Sequence, residues 1–154
     1  MKVREVIAYK SYFEDFLSSQ PQKVQDKIFK IIEAIETLER VPTNYLKHLE
    51  GTNGLYEARI QLASNIWRVF CFFDNGKLVV LLNGFQKKTQ KTPKNEIEKA
   101  LRLMEMYFNE KLEALVSKTP SKWIEESNER CRIRQVKEDD NMIAFGLWLT
   151  KKGN

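Results

Sequence analysis

The chain has 154 residues, of which 42% are hydrophobic and 31% charged, and it carries a formal net charge of +5. That size and balance suit one soluble, core-forming domain with room for a short appendage, and no internal repeat or low-complexity tract is visible. No apolar run approaches the roughly 20 residues of a membrane span, Met1–Glu5 leads only into a short apolar patch rather than a signal peptide, and two cysteines, Cys71 and Cys131, make no disulfide framework. A reducing cytoplasm is the expected location.

Residues 3–9 read as a first strand centred on Val6-Ile7-Ala8. Ser11 and Glu14 have the spacing of a capping box, which opens a short helix through Leu17. Pro21 suits the first turn of a second helix. There Val24, Ile28, Ile31, Ile32, Ile35 and Leu38 recur at helical spacing to about Arg40, and Val41-Pro42-Thr43 stops it.

The period then changes. In residues 55–62, Tyr56, Ala58, Ile60 and Leu62 alternate with Glu57, Arg59 and Gln61, the pattern of a half-buried strand. Ala63-Ser64-Asn65 is a short turn, and residues 66–73 are apolar apart from Arg68. Asp74-Asn75-Gly76 suits a tight hairpin, and residues 77–85 form the next strand. Thr92 and Pro93 suit the N-cap and first position of a last helix with Ile97, Ala100, Leu101, Met104, Phe108, Leu112 and Leu115 as its apolar stripe. A break is expected at 117–121, then a short helix from Trp123 and a strand-like stretch over 142–149 that docks on the core. The expected architecture is α+β: an antiparallel sheet of about four strands, two N-terminal helices and one C-terminal helix.

The densest chemistry lies at the last strand's end. Gly84-Phe85-Gln86-Lys87-Lys88-Thr89-Gln90-Lys91-Thr92-Pro93 joins a buried strand to a helix and sets Lys87, Lys88, Lys91 and Lys94 there without an acidic residue between Asn83 and Asn95. Fixed backbone on both sides and uncompensated positive charge suit a polyanion; a loop kept soluble by lysines is the alternative. Arg68 interrupts a strand otherwise built for burial and needs an anionic partner or an open face. If the 63–65 turn keeps an odd residue sum between paired positions, Arg59 and Arg68 share a face and stand opposite each other. Like charges so placed are destabilising unless an anion lies between them, and a phosphate fits the arginine fork. The other readings are a surface pair of Arg59 with Glu57, and an internal pair of Arg68 with a helix glutamate. His48, the one histidine, cannot form a metal cluster, and neither cysteine has ligand spacing with it. It reads as a loop histidine or a general base, and Lys47 on the same loop adds a possible phosphate contact. No metal site, cofactor motif or nucleophile elbow is present.

Read in order, Lys47-His48-Leu49-Glu50-Gly51, Gly54-Leu55-Tyr56-Glu57-Ala58-Arg59-Ile60, Trp67-Arg68-Val69-Phe70 and the segment from Leu82 to Pro93 resemble the phage-derived HigB-like branch of the RelE/ParE toxin superfamily. The resemblance covers about residues 3–112. It implies a RelE-like fold over residues 1–116, with 117–154 as a C-terminal extension. It also implies the toxin of a type II toxin–antitoxin pair, with a helix-turn-helix antitoxin as partner and mRNA on the ribosome as substrate. On that reading the protein is a metal-independent endoribonuclease needing no cofactor. Arg59 and Arg68 stabilise phosphate charge, Lys87 and Lys88 bind the backbone or assist proton transfer, and Lys47, Lys91 and Lys94 bind RNA, with His48 and Tyr56 secondary. The same scaffold hosts ParE-like gyrase inhibitors, so a non-nucleolytic inhibitor or a degenerate toxin acting as a binding protein is the alternative. The extension, with eight basic and six acidic residues plus Trp123 and Trp148, departs from the usual end of such toxins near the last helix.

Overall fold

The computed structural model describes residues 1–118. The expected helix from Trp123, the strand-like stretch over 142–149 and Cys131 lie outside the described residues. Two compact units divide the chain, Met1–Asn109 and Glu110–Asn154. The elements in order are β1 (Glu5–Ala8), α1 (Tyr12–Ser18), α2 (Gln22–Thr37), β2 (Leu46–His48), β3 (Leu55–Leu62), β4 (Asn65–Asp74), β5 (Leu78–Lys87) and α3 (Lys94–Lys118).

The α+β class holds, but the sheet has five strands in the order β1-β5-β4-β3-β2 and is mixed. β3, β4 and β5 form the expected antiparallel meander, whereas β1 pairs with β5 in parallel. The helices and strands between β1 and β5 are long enough for the crossover a parallel pair requires. β2 was expected as loop: three residues are too few to show a period, and only pairing with β3 makes them a strand.

Alternation of side chains sorts the first unit into two cores. On one side of the sheet, Ala58, Ile60, Trp67, Val69, Cys71, Val79 and Leu81 pack with Phe13 and the α2 stripe Val24, Ile28, Ile31 and Ile35. On the other, Leu55, Phe70, Phe72, Val80, Leu82 and Phe85 pack with Tyr9 and with Ala100 and Leu103 of α3. Burying each large side chain removes roughly 1.5–3 kcal/mol of apolar exposure. Cys71 is free and wholly buried, and burial pushes its thiol up to about 12. Among the described residues no helix is long and apolar enough to cross a membrane.

Helix ends depart from expectation by a residue or more. Ser11 occupies the N-cap of α1 with helical dihedrals and makes no side-chain cap bond, so no capping box forms. Pro21 is the N-cap of α2 rather than its first residue, its carbonyl accepting the N–H groups of Val24 and Gln25. Pro93 does the same for Glu96 and Ile97 at the start of α3. α2 stops at Thr37, because Leu38 turns extended and Arg4 donates to the carbonyls of Ile35, Leu38 and Glu39. α3 continues through Ser117 to Lys118, where a break was expected. In the β4–β5 hairpin, Asn75 and Gly76 take φ of 56° and 75°, the left-handed pair a tight turn demands.

A candidate anion-binding face

The 63–64 turn gives β3 and β4 the odd-sum register: Leu55 faces Phe72, Glu57 faces Phe70 and Arg59 faces Arg68. Directly opposed residues put their Cβ atoms on the same face. Lys47 of β2 stands opposite Glu57, and on β5 Phe85 stands opposite Arg68. Lys87, two residues beyond Phe85, returns to that face. Lys47, Glu57, Arg59, Arg68 and Lys87 therefore continue the face whose apolar part packs α3. Four cations thus share one face with a single carboxylate.

Glu57 and Arg68 are buried, at 6% and 5% exposure, whereas the Arg59 side chain keeps 32%. Glu57 Oε1 lies 3.7 Å from Arg59 Nε, and its Oε2 lies 3.8 Å from Arg68 Nε. Both separations give ion pairs but exceed hydrogen-bond length. Arg68 Nη1 donates to the Trp67 carbonyl at 3.1 Å. Among the described residues, Arg59 Nε, Arg68 Nε and Glu57 Oε2 are buried with no hydrogen-bond partner. Unmet donors and an unmet acceptor at one spot cost stability, as functional sites commonly do.

Burial first, and crowding of charge second, disfavour the protonated forms on this face. Burial, then the Arg59 charge, hold the Arg68 guanidinium below its ordinary value, with Glu57 opposing. Burial also lowers Lys87; Arg68 and Arg59 add to the effect and Glu57 opposes it. Such a face has surplus positive potential that an added anion would relieve.

The other sequence candidates divide. Lys88, Lys91 and Lys94 are exposed along the β5–α3 connection, where Thr89 Oγ1 donates to the Lys91 carbonyl at 2.9 Å. His48 and Tyr56 oppose each other across β2 and β3, one residue out of phase with Lys47 and Glu57 and so on the opposite face. Their rings meet edge to face at 5.1 Å, and Tyr56 stacks likewise on Phe73 at 4.9 Å. The geometry thus joins Lys47, Arg59, Arg68 and Lys87 and separates His48 and Tyr56 from them.

Two residues were not singled out for the site from sequence. Glu57, rather than a glutamate from a long helix, is the partner of Arg68 as well as of Arg59. Asn83, 2% exposed after an apolar run, donates from Nδ2 to the carbonyl and to Oε2 of Glu96 in the first turn of α3. It thereby ties both ends of the lysine-rich connection. An amide inside Leu78–Phe85 was the available signal. Among the described residues no three His, Cys, Asp or Glu side chains form a metal-holding group.

Comparison with known proteins gives a family match over residues 15–105, to the family described as Phage derived protein Gp49-like. All the candidate residues fall inside it. The chain is also similar to a solved structure, the archaeal RelE–RelB complex from Pyrococcus horikoshii OT3, at 22% identity and a TM-score of 0.43, covering 56% of this chain and 97% of that one. No curated protein matches it. Since the family match takes in more than half of the 154 residues, the protein belongs to the phage-derived Gp49-like family.

Proposed function

We propose that this protein is the toxin of a type II toxin–antitoxin pair, of the HigB-like branch of the RelE/ParE superfamily, and that it cleaves mRNA on the ribosome. The observation that carries the reading is the opposition of Arg59 and Arg68 on one face with Lys87, their Nε atoms lacking hydrogen-bond partners among the described residues. Membership of a phage-derived family and the ordered sequence resemblance support it.

The reaction would be an internal transesterification. The ribose 2′-oxygen attacks the adjacent phosphorus, the bond to the 5′-oxygen breaks, and the products are a 2′,3′-cyclic phosphate and a 5′-hydroxyl. One proton leaves the 2′-oxygen and one reaches the 5′-oxygen, so neither water nor metal is consumed. Arg59 and Arg68 would stabilise charge on the phosphoryl oxygens. Lys87 or Lys88 would donate the proton or hold the backbone, and Lys47, Lys91 and Lys94 would bind flanking phosphates. Lysines serve single-stranded RNA without base readout, which leaves the ribosome to present the codon. Residues 1–116 would be the toxin domain and 117–154 a structural extension, with a helix-turn-helix antitoxin as partner in the cytoplasm.

Glu57 favours one second reading. A carboxylate that already pairs with both arginines suits a non-nucleolytic binder, either a ParE-like gyrase inhibitor or a degenerate toxin. Induction in cells followed by mapping of mRNA 5′ ends separates the two. Codon-phased cleavage is the expected result; intact transcripts with a DNA-damage response would favour gyrase inhibition.

A further inference from the structure

We propose that Glu57 is an internal stand-in for the ligand phosphate: it occupies the space between Arg59 and Arg68 in the free protein, and an incoming phosphoryl group displaces it toward Lys47. The inference rests on the reading of this face as a phosphate site and adds a self-occlusion step to it.

Glu57 lies on the strand carrying Arg59 and meets both arginine Nε atoms at 3.7 and 3.8 Å, too far for hydrogen bonds to either. Its Oε2 and both Nε atoms are nevertheless buried and unpartnered among the described residues. An arrangement optimised as a permanent ion pair would close those bonds, because buried charges are tolerated only when well hydrogen-bonded. A loose pair in which the acceptor lies between the donors without satisfying them suits a replaceable occupant. A tetrahedral phosphoryl group presents more oxygens, spread more widely, than a carboxylate. It can therefore accept from both guanidinium forks at once.

Displacement needs somewhere for the carboxylate to go. Lys47 stands directly opposite Glu57 in the β2–β3 register, on the same face, and is exposed at the sheet edge. A rotation of the Glu57 side chain toward the edge strand would trade buried Arg68 and half-buried Arg59 for one solvated lysine, while the ligand takes over the arginines. In the free protein the same carboxylate separates two opposed like charges, which would otherwise destabilise β3 and β4.

The test is titration of the full-length protein with inorganic pyrophosphate, and with a non-cleavable 2′-deoxy dinucleotide as the diester probe. For Glu57→Gln, which keeps shape and loses charge, binding is expected to tighten on the order of tenfold over wild type. Equal or weaker binding by the folded variant, or no binding by either protein, would overturn the stand-in role. In the wild type, carbon-13 labelling of the glutamate carboxyls reads the displacement without any substitution. The Glu57 resonance should shift on saturation with pyrophosphate, and a resonance that stays put overturns the proposal even if Glu57→Gln does not fold. Failure of RNA cleavage with intact pyrophosphate binding and displacement would sink the nuclease reading alone, whereas cleavage with a static Glu57 would sink this inference alone.

Discussion

Tyr107 Oη donates a 2.7 Å hydrogen bond to Asp74 Oδ2, tying the middle of α3 to the last residue of β4. Burial, that bond and the Asp74 charge together push the phenol up to about 12. A raised acid favours its protonated form in the fold, so the stabilisation is complete below the ordinary tyrosine value and fades as pH rises through the folded one. We expect wild type to lose stability between about pH 10 and 12, and Tyr107→Phe to lose less across that window. At neutral pH the substitution should cost about 1–2 kcal/mol, since Asp74 loses a donor. Urea melts at a series of pH values check both expectations.

Gly84 lies beneath α1. A Cβ built there stands 2.3 Å from Cδ1 of Phe16 and 2.7 Å from its Cγ, the rigid root of the ring. Gly84→Ala should therefore destabilise by about 1–3 kcal/mol as α1 is pushed off β5. Adding Phe16→Leu should restore part of the loss, a non-additivity that a double-mutant cycle of melts would reveal. Simple additivity would show that the two do not collide.

Lys87 carries a depressed pKa because of burial and the neighbouring arginines. Between that lowered folded value and the ordinary lysine value the unfolded chain binds the extra proton, so wild-type stability should rise with pH in this window. Lys87→Met should remove that rise. Any activity requiring the Lys87 cation should decline on the alkaline side earlier than an ordinary lysine would impose, and Lys87→Arg should move the decline upward. Coincident alkaline limbs for wild type and Lys87→Arg would show that the Lys87 charge is not what titrates.

The meander was legible because three independent signals agreed on it: alternation in β3, Asn75-Gly76 for one turn, and the 63–65 turn for the other. The facing of Arg59 and Arg68 then followed from parity alone. β2 was not legible, since Leu46–His48 becomes a strand only through its partner, and with it went the placing of Lys47 beside Glu57. The parallel pairing of β1 was hidden for the same reason: strand order is a tertiary property with no local mark. Tyr56 was read correctly as core-facing, yet His48 could be placed on its face only through the register. The anionic partner of Arg68, expected on a long helix, is Glu57 instead: long-helix glutamates are numerous, whereas a carboxylate on the adjacent strand needs no chain crossing to reach it. The proline positions slipped by a residue because N-cap and first-turn prolines leave nearly the same sequence trace.

In the proposed reaction Arg68, with Lys87, supplies charge stabilisation for RNA cleavage. Loss of one such transition-state contact costs on the order of 3 kcal/mol, roughly a hundredfold in rate. The most direct measurement is single-turnover cleavage of mRNA on purified ribosomes by wild type, Arg68→Ala and Arg68→Ala with Lys87→Ala, each verified as folded by its thermal melt. A loss of about a hundredfold is expected for Arg68→Ala, and a further loss for the pair. Undiminished cleavage by the folded double variant would contradict it.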